Sequence, residues 1–137
     1  MKSLQTLIKL HNNELDEIRR KLKEAQEQLD LFKAIKRQMQ EDLDAEYEFA
    51  STAPDMAMTF ANYRQKMNER LKNAEQTINS IDREVQRITN QIALKFGEVK
   101  KYEIVLENKI NHLLKEEKDK ETATLDEIAM QKFIQED

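Results

Sequence analysis

Apolar residues recur at alternating spacings of four and three along two stretches of this chain, and its one proline, Pro54, stands between them. The first stretch runs Leu4, Ile8, His11, Leu15, Ile18, Leu22, Ala25, Leu29 and Phe32 without a slip, a coiled-coil seam of period 3.5. Beyond it the apolar positions shift to Ile35, Met39, Leu43 and Tyr47, closer to the period of a straight helix. The second stretch begins loosely with Phe60, Tyr63 and Met67. It then tightens through Leu71, Ala74, Ile78, Ile81, Val85, Ile88 and Ile92. Strands need a period of two, which neither stretch shows. A helix with such a seam buries it only against another helix, so the pattern restricts the chain to helix pairs.

Composition supports this. One Gly, one Pro and no Trp in 137 residues leave little turn punctuation for an ordinary globule. Charged residues make up 36% of the chain and both signs are interspersed, as on a long solvated helix. Disordered chains lack a sustained apolar seam, and this chain has one.

The break at Ser51-Thr52-Ala53-Pro54-Asp55 has a mechanism. Pro54 lacks an N–H and disfavours helix in the residue before it, so the first helix is expected to span about 3–50. Thr52 reads as an N-cap with Asp55 in the following first turn, opening a second helix over about 56–120 after a loop at about 51–55. A short loop favours antiparallel packing. Folding near residue 53 sets Leu29 by Ile78, Leu22 by Val85 or Ile88, and Leu15 by Ile92, which brings the two cleanest heptad runs together. The expected fold is all-α: a long antiparallel two-helix coiled-coil hairpin, one domain over 1–137, with an overhanging C-terminal helix. The alternative is two seams that pair with another copy of the chain.

In this register helix one starts opposite about residue 103, while the second arm continues through Val105, Leu106, Ile110, Leu113 and Leu114. Each buried aliphatic side chain is worth about 1.5–3 kcal/mol, so an unpaired stripe of them marks a binding surface. The charge run Lys115-Glu116-Glu117-Lys118-Asp119-Lys120-Glu121 follows. Thr124-Leu125-Asp126-Glu127 then reads as a capping box that opens a separate amphipathic segment over about 124–134. Residues 1–114 hold 19 basic and 19 acidic side chains. The excess of acid therefore falls in 115–137, with four Lys against eight Asp/Glu.

Catalytic chemistry is not apparent. There is no Gly-rich phosphate loop, nucleophile elbow or HExxH, and paired carboxylates on an open helix cannot split their pKa values for acid–base work. The chain is expected not to be an enzyme and to carry no cofactor. With no Cys and only His11 and His112, which the register keeps apart, no metal site is expected. The run Arg19-Arg20-Lys21 has acidic neighbours, and the pairs Glu17–Lys21 and Arg20–Glu24 account for it without nucleic acid. No signal peptide or membrane-length apolar run is visible, so direct membrane insertion is not expected. Gly97, inside the second helix, is expected to make room for Leu10 or His11, with a bend as the other reading. Met56, Met58 and Met67 read as core filler at a loosened end.

Three stretches, taken together, resemble the FliJ family of the bacterial flagellar protein-export apparatus. They are Met1 to Leu10 continuing into Asp16-Glu17-Ile18-Arg19-Arg20; Lys100-Lys101-Tyr102-Glu103-Ile104-Val105-Leu106-Glu107-Asn108-Lys109; and Leu125-Asp126-Glu127-Ile128-Ala129. The resemblance implies a cytoplasmic coiled-coil stalk, peripheral to the membrane-embedded export apparatus. It implies as partners the hexameric export ATPase, the export gate membrane protein and substrate chaperones. Carried onto this chain, the ring-facing residues are Leu4, Leu7, Ile8, Tyr102, Glu103, Leu106, Glu107, Leu125, Asp126 and Glu127, joined by Ile110 and Leu113 of the unpaired stripe. A prefoldin-like chaperone and a dimeric scaffold are the competing readings. The first needs strands between its helices, and residues 48–60 offer none.

Overall fold

A computed structural model describes residues 2–136. Two helices, α1 (Lys2–Thr52) and α2 (Ala57–Glu136), form a helical hairpin, joined by Ala53 and a 3-10 turn at Pro54–Met56. No strand occurs among the described residues.

The turn departs from its expected form. Ser51 and Thr52 remain in α1, their hydroxyls donating back to the carbonyls of Tyr47 and Phe49. Thr52 is therefore not an N-cap. Ala53 takes the extended conformation (φ −130°, ψ 91°) that a residue before proline prefers, and caps the turn without any side-chain hydrogen bond. Pro54 sits at the start of the turn, where its missing N–H costs nothing.

The helices pack in two units. One, Asp16–Ala93, contains the turn. Its seam buries Leu29 on α1 and Met67, Ala74, Ile78 and Ile88 on α2. Beyond Phe32 the heptad does not shift. Lys36 holds the next seam position and is half-buried, while Ile35 is 37% exposed. The lysine stem covers apolar surface and its ammonium reaches Glu75 on the facing helix. Near the turn the seam loosens, leaving Tyr47 in an edge-on contact with Phe60 at 5.6 Å. Met58 is 80% exposed and Met56 is also exposed, so of the three methionines only Met67 fills the core.

The other unit takes in residues 2–15 and 94–136. Leu15 and Val99 are its most buried residues, 2% and 3% exposed. Leu4, Leu7, Ile8 and His11 are half-buried on α1, as are Lys95, Tyr102, Glu103 and Leu106 on α2. From Glu107 to Gln135 every residue is exposed. The helix nevertheless runs on unbroken. Thr124 donates to the Lys120 carbonyl one turn back and caps nothing, so 124–134 continues α2 and is not a separate segment.

Candidate partner-binding site

The pairing of residues in each unit fixes where the site begins. Lys36 meets Glu75 in the first unit; in the second, Glu14 meets Lys95, and His11 faces Glu98 and Tyr102. These contacts lie several residues further along α2 than a fold at residue 53 predicts. The cause is the turn, since Ser51 and Thr52 stay helical and α2 starts only at Ala57. Leu106 is therefore half-covered instead of unpaired, and the projecting stretch starts at Glu107.

Just below that point lies a polar cluster between the helices. Lys95 occupies a seam position, three residues beyond Ile92, and its ammonium bonds the Glu14 carboxylate and lies 3.7 Å from Glu98. His11 stacks on Tyr102 with ring centroids 5.0 Å apart. Its buried Nδ1 has no hydrogen-bond partner, with Glu14 at 3.6 Å and Glu98 at 3.8 Å. The cluster was readable only by extending the heptad of α2 past its last clean apolar residue and accepting a lysine on it.

The hydrogen bond from Lys95 holds Glu14 below the ordinary glutamate range, and the same bond holds Lys95 above the ordinary lysine range. A depressed carboxyl contributes stability above its unfolded pKa and loses it as pH falls through the folded value. A raised lysine contributes below its unfolded pKa and loses it as pH rises through the folded value. Between these ranges the contribution is constant. The difference in melting temperature between the wild type and Glu14→Gln should therefore shrink between about pH 6 and about pH 3, measured by circular dichroism. An unchanged difference over that interval would mean that the pair contributes nothing.

The expected site residues fall into two groups. Leu4, Leu7 and Ile8 on α1 and Tyr102, Glu103 and Leu106 on α2 are all half-buried in the same unit, and Glu103 takes an ion pair from Lys100 at 3.3 Å. Glu107, Ile110, Leu113, Leu125, Asp126 and Glu127 lie along the exposed part of α2. Leu114, Ile128, Met130, Phe133 and Ile134 are exposed there as well. At about 1.5 Å per residue this uncovered stretch extends for roughly 45 Å.

Two expectations are corrected by the geometry. A Cβ built on Gly97 meets nothing within 4 Å, so the glycine does not make room for Leu10 or His11. Arg19 and Arg20 pair backward with Asp16 and Glu17, at 3.4 and 2.9 Å, rather than forward. His112, on the exposed stretch, pairs with Glu116 at 3.1 Å. Among the described residues no group of three or more His, Cys, Asp or Glu is placed to hold a metal ion. No described helix is long and apolar enough to cross a membrane.

A family model, FliJ: Flagellar FliJ protein, matches residues 1–137. The chain belongs to the FliJ family. No curated protein and no solved structure matches beside it. Membership of the FliJ family makes the chain a component of the flagellar export apparatus, a family role that is not catalytic. Protein partners in that apparatus follow, and the end of α2 leaves Leu113, Leu114, Leu125, Met130, Phe133 and Ile134 exposed.

Proposed function

We propose that this FliJ-family chain is a non-enzymatic stalk and adaptor. It engages the hexameric export ATPase through the end formed by Leu4, Leu7, Ile8, Tyr102, Glu103 and Leu106 and by the exposed stretch of α2 beyond them. From there it connects the ATPase to the export gate membrane protein and to substrate chaperones, on the cytoplasmic side and peripheral to the membrane apparatus. The observation that supports this reading is the continuous helix from Glu107 to Gln135, which carries Ile110, Leu113, Leu114 and Leu125 with nothing covering them. A monomeric protein rarely leaves so much apolar helix surface bare unless something binds it.

Truncation after Leu106 removes the uncovered stretch and leaves every interhelical contact described above in place. The shortened chain should keep its cooperative thermal transition and lose both binding to the cognate ATPase and stimulation of its turnover, by tenfold or more on the order of a hot-spot loss. Binding and stimulation retained at the level of the full chain would rule the reading out.

A further inference from the structure

The exposed stretch of α2 has an internal symmetry. Ile110, Leu114, Leu125 and Ile128 share one face, within an arc of about 60° at 100° per residue. The middle of that face is charged, with Glu121 on it and Glu117 and Lys118 at its two edges. In either chain direction the face therefore reads apolar, charged, apolar, about a centre near residues 119–120. A surface that reads alike in both directions is self-complementary across a two-fold axis.

We infer that this face binds a second copy of the same chain, the two exposed helices running antiparallel with the two-fold axis near Asp119–Lys120. In that arrangement Leu114 lies opposite Leu125 of the second copy, joining the apolar ends. Lys118 lies opposite Glu121, and Glu107 lies opposite Lys132, so opposite charges meet along one flank on both sides of the axis. A parallel pair would set Lys118 against Lys118 and Glu121 against Glu121, with like charges in register throughout the middle, which disfavours it. The pattern that reads alike in both directions selects a second copy as the occupant, and charge selects the antiparallel direction. The pairing covers part of the surface assigned above to the ATPase, so the two associations exclude one another. The self-association does not depend on that assignment.

The chain has no cysteine, so introduced thiols report the geometry directly. Full-length Leu114→Cys mixed with full-length Leu125→Cys should form a disulfide-linked pair under mild oxidation, while either variant alone should not. In the antiparallel pair two copies of residue 114 are roughly 16 Å apart, too far for a disulfide. Sedimentation equilibrium of the cysteine-free chain should show a reversible dimer, weakened about tenfold or more by Lys118→Glu or by Glu121→Lys. The double variant should return to within about threefold of the wild type, because it restores both cross-chain pairs. A chain that remains monomeric to about 1 mM, a Leu114→Cys variant that crosslinks to itself, or single charge reversals without effect would each overturn the inference.

Discussion

Replacing Leu15 with alanine should lower the unfolding free energy by about 3 kcal/mol, within the roughly 2–5 kcal/mol found for buried leucines. Leu15 is 2% exposed, the lowest value among the buried core residues, yet it sits in a helix pair and not in a thick core. Some collapse of the facing helix is therefore available, which places the effect below the top of the range. The control is Leu31→Ala, since Leu31 also lies on α1 but is 52% exposed. That substitution removes no buried contact and gains helix propensity, so it should change stability by less than about 0.5 kcal/mol. Urea titrations followed by helical circular dichroism compare the two at equal slope. Equal losses for Leu15→Ala and Leu31→Ala would mean that the seam is not what holds the helices together.

Gly97→Ala should act in the other direction and stabilise the chain by about 1 kcal/mol, visible as a rise of several degrees in melting temperature. The glycine lies inside α2 without positive φ, and the space its side chain would occupy is open. It therefore carries the entropic cost of a helical glycine with no compensating contact inside the chain. No gain on substitution would show that the backbone there departs from helix in solution. A gain in stability accompanied by weaker partner binding would show that a partner approaches the backbone closely at this point.

The sequence disclosed the fold because both seams obey one rule over many turns. The alternation that links Leu4 to Phe32 and Leu71 to Ile92 leaves helix pairing as the only way to bury them. It disclosed less wherever a residue had two acceptable roles. Ile35 is the apolar residue nearest the next seam position, but the geometric position belongs to Lys36, whose stem is long enough to serve as core while its charge finds Glu75. Thr52 and Thr124 have the composition of helix caps. Both hydroxyls instead bond carbonyls behind them within a helix, an option that short polar side chains always carry. The start of the uncovered stretch was displaced for a similar reason. Pro54 marks the turn, but the two residues that stay helical before it shift every pairing along α2, and the half-covering of Leu106 follows from that shift. The candidate site was legible as an end of the hairpin from the surplus of apolar residues on the longer arm. The polar cluster around His11 was not, because Glu14, Lys95 and Glu98 individually resemble surface residues, and Lys95 joins His11 on the seam only if the heptad of α2 is carried past Ile92.

An apolar seam looks the same after every seven residues, so two such helices could in principle slide by one repeat with little loss. Lys36 and Lys95 do not repeat. A slide of seven residues in one direction would bring Lys95 alongside Lys21 in place of Glu14; in the other, it would face Leu7 and Lys36 would face Asn68. Either displacement strands a seam ammonium without a carboxylate. The two lysines thus act as a vernier, giving up some hydrophobic contact so that the helices can mesh at one setting. That setting determines how far α2 projects beyond the start of α1.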